Sequence, residues 1–280
     1  MAITTPSTPV AWSPDVQAFL AADAVPEALI LRAATVVTSA LEGDAPVARI
    51  PWVDDDEADF VAEGAEIPEA DPTLNEITVA TGKVSQLLKV SREQFNQTAT
   101  AGLLSTSVQR AIVKKGNEAF IAQPAPTSPA ITPPEGILTQ GIEFTAAITS
   151  NLDPLADALA ALEDSGATPT LMLANPVSWG ALRKLKTAGE SNVSLLGAGT
   201  DDATKRLLGI NVETTPAVPV GKILIVDPSA IAAAVGSVLV AQSHERYFEN
   251  DAVGLRATWR IGWSVQRPER LGIVNVEQGE

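Results

Sequence analysis

Residues 51–82 carry ten carboxylate side chains and no lysine or arginine. A segment typical of a strand precedes this stretch at residues 47–53, and a second strand is predicted at residues 76–90, where Ile77 and Val79 alternate with polar or small residues. The sequence therefore predicts a long, protruding hairpin with an acidic tip. A two-stranded hairpin is at best marginally stable in water, so it must lie either on its own domain or on a neighbouring subunit.

The rest of the chain mixes helical and strand patterns, which predicts an α+β fold. Three prolines among residues 1–25 indicate an extended arm, which we expect to be ordered only by a partner. Ser91 and Gln94 form a capping box, and apolar residues at helical spacing predict a long helix over residues 103–121. Five prolines between residues 124 and 134 then mark a boundary between two lobes.

The second half of the chain alternates between short helices and strands. Asp153 and Asn175, each followed by proline, are predicted N-caps of two helices, and residues 229–235 are a further helix candidate. Strands are predicted at residues 170–174, 210–213, 222–226, 238–241, 255–265 and 271–276. The run at 255–265 has the clearest period of two in the chain, so we expect one of its faces to be buried.

Composition excludes several classes of function. The 280 residues include 34 acidic and 19 basic side chains, a net charge of −15, whereas proteins that wrap nucleic acid tightly carry a basic surface. Cysteine is absent and His244 is the single histidine, which excludes disulfides, cysteine nucleophiles, zinc–thiolate sites and multi-histidine metal sites. No targeting signal or membrane span is recognisable, so the sequence predicts a soluble cytoplasmic protein.

No convincing catalytic, cofactor or metal site emerges from the sequence. The glycine-rich residues 197–200 lack the lysine of a phosphate-binding loop. The four carboxylates of residues 54–57 lack the glycine and glutamate of a calcium-binding EF-hand loop, so a solvated loop is the better interpretation. His244 is interpreted as a paired or surface histidine. We therefore predict no catalytic residue, no cofactor and no metal, and a protein with a structural role.

Three segments carry a resemblance to a known family. They are AEGAEIPEADPT at residues 62–73 with KVSRE at residues 89–93, PEGIL at residues 134–138, and RPERL at residues 267–271. The chain thereby resembles tailed-phage major capsid proteins of the Hong Kong 97 type, over nearly its whole length and in the same order. The first segment is the most specific of the three.

The resemblance implies a Hong Kong 97-type capsid fold. Its parts would be the N-arm and lead-in (1–46), the E-loop hairpin (47–90), the P domain with a long spine helix (91–126), the A domain (127–235), and the C-terminal strands of the P domain (236–280). Many relatives carry an additional N-terminal scaffolding segment. Since this chain starts at the N-arm, the resemblance implies either a separate scaffolding protein or a mature form.

The implied function is that of a major capsid protein without enzymatic activity. It would self-assemble as hexamers and pentamers into an icosahedral shell around the double-stranded DNA of a tailed bacteriophage, holding that DNA without tight binding. A portal protein, and separate scaffolding or decoration proteins, would be further partners, and no membrane would be involved. We expect it in the virion, after assembly in the cytoplasm of a host bacterium.

An encapsulin-type bacterial nanocompartment shell, which has the same fold, is the alternative. Encapsulins resemble the family but usually begin with a helix that binds cargo peptide. The long proline-bearing arm of this chain therefore favours the phage form.

Two expectations concern contacts between subunits. The acidic tip should meet cations of an adjacent chain, because its carboxylates repel one another; the candidates are Arg110, Lys114, Lys115, Arg256, Arg260, Arg267 and Arg270. Some relatives cross-link subunits through a lysine of the E-loop, but no lysine lies between Arg49 and Lys83. We therefore predict a shell without covalent cross-links, in which Lys83 with Asn250 is the one pair worth considering.

Overall fold

The computed structural model describes residues 16–19, 25–38, 47–54, 60–61, 73–95, 98–186, 193–196 and 205–277. Most of the predicted arm, most of the acidic tip and the glycine-rich residues 197–200 lie outside this part of the chain.

The described residues form one long helix, several shorter helices and two six-stranded sheets. The helices are α1 (Ile30–Ala33), α2 (Arg92–Phe95), α3 (Thr98–Ala122), α4 (Asp153–Asp164) and α5 (Pro176–Lys184). The strands are β1 (Val16–Phe19), β2 (Thr35–Thr38), β3 (Val47–Asp54), β4 (Thr73–Ser91), β5 (Ile142–Ile148), β6 (Leu171–Ala174), β7 (Arg206–Leu207), β8 (Ile210–Thr214), β9 (Lys222–Val226), β10 (Ile231–Tyr247), β11 (Ala252–Val265) and β12 (Leu271–Val276).

The first sheet has the order β1-β10-β11-β4-β3, with β2 pairing in parallel to β10. Its long strand β4 has two different partners along its length. Residues 73–80 pair with β3, and residues 81–91 pair with β11, antiparallel in both cases. The predicted hairpin is therefore confirmed as β3 and β4, and it continues directly into the body of the sheet.

Helix α3 packs on one face of this sheet, which confirms the predicted long helix although it begins at Thr98. Trp259 of β11 is fully buried against it and donates a hydrogen bond from Nε1 to the Gly236 carbonyl oxygen at 3.0 Å. The helix can approach this ring because position 116 is glycine: a Cβ there would lie 2.9 Å from the Trp259 ring. The same core also contains Phe120 of α3 and Trp263 of β11, whose rings meet edge to face with their centroids 5.4 Å apart.

The second sheet has the order β5-β12-β9-β6-β8-β7 and is covered on one side by α4 and α5. Its other side joins the core of the first sheet through residues such as Leu173, Leu224 and Ile273. Burial on both sides explains why all residues of β6 are buried. The chain thus forms two layers that share one continuous core.

One of the two predicted N-caps is confirmed and the other is wrong. The Asn175 side chain accepts a hydrogen bond from the Val177 amide at 2.9 Å at the start of α5. Helix α4 begins one residue earlier than predicted, so Leu152 occupies the cap position and Asp153 is the first helical residue. There the carboxylate still lies at the positive end of the helix dipole, where a negative charge is favourable.

The helix predicted over residues 229–235 is wrong. A 3₁₀ turn, Pro228–Ala230, is followed at once by strand β10. Alanine favours helices in isolation, but the backbone of residues 232–234 is paired on both sides, with β2 and with β11. Tertiary pairing has overridden local propensity here.

Two further expectations need correction. Residues 16–19, predicted as part of an arm ordered only by a partner, form β1 and pair with β10 of the same chain. The last strand, β12, was predicted to complete the P domain but pairs with β5 and β9 of the second sheet. The reason is that the chain crosses from one sheet to the other between β11 and β12.

The expected single buried face of β11 also holds only in part. Trp259, Ile261 and Trp263 are buried as predicted, but Thr258 on the opposite side is 8% exposed. Thr258 lies between Leu239 and Ser85 in the strand register, and no helix of the described residues covers that side.

The chain passes from the second sheet to the first after β9 and returns to the second sheet after β11. Polar contacts connect these two crossover segments. Asp227, which follows β9, is buried and accepts hydrogen bonds from the amides of Thr168 and Ser229, both at 2.9 Å. Arg270, which precedes β12, approaches the same carboxylate at 3.9 Å. The Gln266 amide also donates to the Ala230 carbonyl oxygen at 2.9 Å. These contacts connect the two sheets at one point.

Candidate assembly surface

One face of the first sheet remains largely uncovered by the described residues. Side chains alternate between the two faces of a strand, and Val84, Leu88 and Trp259 point to α3. The opposite side chains form what we call the open sheet face, which consists of Lys83, Ser85, Leu87 and Lys89 of β4, Leu239 and Ala241 of β10, and Arg256, Thr258 and Arg260 of β11. Among its apolar members, Leu87 is 47% and Leu239 40% exposed.

The open sheet face is positively charged. It contains two lysines and two arginines, whereas no carboxylate occurs in residues 81–91, 231–243 or 252–266. Arg260 donates from Nη1 to the Thr81 hydroxyl at 3.0 Å, which holds one of the arginines along the sheet. The chain as a whole has a net charge of −15, so the charge of this face is opposite in sign to the net charge of the chain.

The base of the hairpin covers one end of this face. Val79 and Ile50 are buried against Ala232 and Ala234 of β10. Where the pairing of β4 with β11 ends, at Thr81 and Gly262, the two backbones are so close that a Cβ on Gly262 would lie 2.3 Å from the Ala80 carbonyl oxygen. The hairpin base thus packs on its own chain, as the simpler of the two sequence hypotheses required, and glycine at 262 permits it.

The acidic tip contains an exposed apolar pair. Phe60 is fully exposed and Val61 is 38% exposed, and they are the tip residues whose positions the structure describes. An exposed phenylalanine in an otherwise acidic segment is typical of a contact site, because its burial against another surface would be favourable.

Five of the seven predicted cations fall into three places. Arg256 and Arg260 lie on the open sheet face, together with Lys83 and Lys89, which were not among the predicted contacts. Sequence reasoning could have found these two lysines, because the period of two in β4 places both on the side of Leu87.

The cations of α3 lie elsewhere. Arg110 and Lys114 border a groove of about 740 Å³ between α3, residues 25–27 and residues 215–217. Glu27 and Glu118 line the same groove, and Lys114 Nζ lies 4.0 Å from the Glu118 carboxylate. Unlike the open sheet face, this groove is therefore mixed in charge.

Arg270 does not fit its predicted role as a surface contact. Its side chain is only 20% exposed and lies beside the buried Asp227. Its position between the two sheets, which the sequence does not reveal, removes it from the candidate cations.

The lysine nearest to Asn250 within one chain is Lys89 rather than Lys83. Lys89 Nζ donates to the Asn250 side-chain oxygen at 2.5 Å, whereas Lys83 lies opposite Arg260 in the strand register. His244 is exposed near the end of β10. Within the described ranges, no three histidine, cysteine or acidic residues cluster as metal ligands. In that part of the chain, no helix has the length and apolarity needed to cross a bilayer.

Comparison with known proteins shows which family has this fold. A model of the phage capsid family matches residues 12–276. The chain belongs to the phage capsid family. It is thus a structural protein of a virion shell, and the Hong Kong 97-type fold predicted from the sequence is confirmed by the similar structures below. No curated protein matches the chain.

Solved structures from several phages are similar to this capsid protein in fold. A structure from Microbacterium phage Oxtober96 has a TM-score of 0.68 at 14% identity, covering 99% of this chain and 100% of that one. The capsid of an empty GTA particle, computed with C5 symmetry, has a TM-score of 0.67 at 17% identity and covers 98% of both chains. A structure from Mycobacterium phage Bobi has a TM-score of 0.64 at 18% identity and covers 100% of both.

Proposed function

We propose that this capsid protein assembles as hexamers and pentamers into an icosahedral shell that encloses the double-stranded DNA of a tailed phage. The observation that carries the proposal is the direction of the hairpin. Because β4 is one strand, Thr73 lies roughly 33 Å along it from Lys83. The end of β4 that adjoins the acidic segment thus lies far from the cations of its own open sheet face, and we propose a surface of another copy as the partner of that segment.

The net charge of the chain supports the proposal that the shell is a container for DNA. A net charge of −15 repels phosphate groups, so packaged DNA would be held by confinement rather than by tight binding. We propose a structural role for the chain, without enzymatic activity. We propose the first sheet with α3 as the P domain, the second sheet as the A domain, and β3 with β4 as the E-loop hairpin.

The further partners follow from this role. A closed shell that receives DNA needs a portal protein, and separate scaffolding or decoration proteins are proposed partners. Assembly would take place in the cytoplasm of the host bacterium.

Electron microscopy of the purified protein tests the proposal. We expect closed particles built from hexamers and pentamers, and we expect native particles to contain nuclease-protected double-stranded DNA. A protein that stays in small open oligomers under all assembly conditions would contradict a shell function. Native particles filled with a protein cargo and free of DNA would instead identify an encapsulin-type compartment.

A further inference from the structure

We propose that the acidic edge of the second sheet in one copy docks on the basic edge of the second sheet in another copy. The acidic edge is defined as β5 with α4, and the basic edge as β7 with residues 183–186 around the end of α5. The inference rests on the proposed shell function and names one contact between copies within that shell.

The acidic edge belongs to a long part of the chain that has no cations. No lysine or arginine occurs between Lys115 and Arg183. Strand β5 is the outermost described strand on one side of the second sheet, and α4 packs on β5 and β12. The exposed carboxylates of this edge are Glu143, Asp153, Asp157, Glu163 and Asp164. Since Glu143 is paired with Lys222 of its own chain, the four carboxylates of α4 give the edge its negative charge.

The basic edge lies on the opposite side of the same sheet, where β7 is the outermost described strand. Arg206 of β7 donates from Nε to the Asn211 side-chain oxygen at 3.0 Å, and Lys205 donates from Nζ to the Thr214 hydroxyl at 2.7 Å. Both cations are exposed. Because their partners are neutral, these hydrogen bonds position the two side chains without cancelling their charge.

The end of α5 adds further cations to this edge. Helix α5 connects β6 to the β7–β8 pair, so its last residues lead to the same side of the sheet. Arg183, Lys184 and Lys186 are exposed there. Over residues 183–206 the sequence has five cations and three carboxylates, and the three carboxylates lie outside the described residues. The described surface of this edge is therefore positively charged.

The positions of the two edges determine how copies join. The edges are five strand spacings apart, a distance of about 24 Å. Two acidic edges repel each other, and so do two basic edges, so the favourable contact joins unlike edges. Each copy offers one edge of each kind, and a head-to-tail contact of this type closes into rings when the rotation between copies permits it. The proposed hexamers and pentamers are rings of this kind.

Apolar side chains at the two edges also match. Strand β5 has a single charged residue, and its Ile142 is 44% exposed. At the basic edge, Leu208 in the turn after β7 is 50% exposed. A long edge strand with so little charge is a site of association with another chain. Docking of the two edges would remove Ile142 and Leu208 from water.

The open sheet face is the competing basic surface in the same chain. It has four cations, but docking of α4 there would leave the basic edge of every copy without a partner. Its exposed Leu87 and Leu239 would also meet a helix whose exposed uncharged residues are alanines. Docking on the basic edge uses both edges of each copy, so the basic edge is the better partner.

Engineered cysteines test the contact directly, because the chain has none of its own. Ala160 on α4 and Leu208 beside β7 are both exposed and uncharged, so replacing them leaves the charges of the edges unchanged. The double variant Ala160→Cys with Leu208→Cys, treated with a short bifunctional thiol reagent in assembled shells, should give multiples of 29.1 kDa on a denaturing gel. The matched control, Ala160→Cys with Leu239→Cys on the open sheet face, should remain a single band.

Charge reversal provides a second readout. Asp157→Lys should lower the yield of sedimenting shells by at least about tenfold, because the reversed charge faces the basic edge at every repeat. Adding Arg206→Glu to this variant should restore most of the yield. Glu245→Lys, the same reversal near the end of β10, is the matched control and should assemble normally. Circular dichroism should show that all variants are folded.

The outcomes separate this inference from the proposed function. If shells form but the Ala160–Leu208 pair gives no cross-link, or Asp157→Lys assembles as well as Glu245→Lys, the docking of the two edges is wrong and the shell function stands. If Arg206→Glu alone lowers the DNA content of particles while their yield is unchanged, the basic edge binds DNA and the inference is overturned. If the unmodified protein forms no shell, the proposed function fails first.

Discussion

Replacing Asp227 by alanine should destabilise the chain more than any comparable change at an exposed acidic residue. The Asp227 carboxylate is 3% exposed and accepts two backbone hydrogen bonds, from the Thr168 and Ser229 amides. A hydrogen bond to a charged group contributes about 1.5–3 kcal/mol. Two such bonds set the loss at about 3–6 kcal/mol.

The lower end of this range is the better expectation. Thr168 is exposed, so water can reach its amide once the carboxylate is gone. Arg270 adds little, because 3.9 Å is a long distance for an ion pair. We therefore expect about 3 kcal/mol for Asp227→Ala. Asp227→Asn should cost about half as much, since its remaining oxygen can still accept one of the two bonds.

Urea unfolding of the purified protein, followed by tryptophan fluorescence, measures this loss. The midpoint should fall with little change in the slope, because the exposed area on unfolding is the same. The control is Asp164→Ala at the exposed end of α4, which should stay within about 0.5 kcal/mol of the original. The reasoning would be refuted if Asp227→Ala matched this control, or if 0.5 M salt abolished the effect, which would indicate an ion pair rather than buried backbone bonds.

Three further expectations can be checked with the same material. The pKa of the Glu143 carboxyl is lowered, first by a hydrogen bond from Lys222 and second by one from Asn275. The resulting stabilisation of the folded state is present above the pKa of an unfolded glutamate, and it is lost as the pH falls through the lowered pKa of the folded state. Because this ion pair is exposed, Glu143→Gln should cost at most about 1 kcal/mol at pH 7 and nothing below the folded pKa, as urea unfolding across pH would measure. Gly262→Ala should cost about 1–3 kcal/mol in thermal or urea unfolding, since its Cβ would clash with the Ala80 carbonyl group of the neighbouring strand β4. Gly180→Ala, with open space around it and a helical backbone, should be neutral or stabilising, and equal behaviour of the two variants would contradict the close approach at Gly262. Mature particles boiled in detergent should give one band near 29.1 kDa, and a ladder of multiples would show that the absence of lysine from the acidic tip does not prevent cross-linking.

The sequence by itself predicted most of the elements that have a strong local pattern. The strand-like segment at residues 47–53 identified β3, the alternation of residues 255–265 identified β11, and apolar spacing identified α3. Asn175 before proline located the start of α5, because its side chain bonds to an amide only two residues away. These features depend on contacts within a few residues, and the local sequence specifies such contacts.

The tertiary structure decided the rest. Residues 231–235 became a strand because β2 and β11 lie on either side, although their alanines favour a helix. The pairing of β12 with the second sheet and the burial of Arg270 beside Asp227 depend on where distant crossings meet. The open sheet face is likewise assembled from strands more than 140 residues apart in the chain. No local pattern records which side of a sheet a helix will cover, because that choice is made by packing between segments remote in sequence.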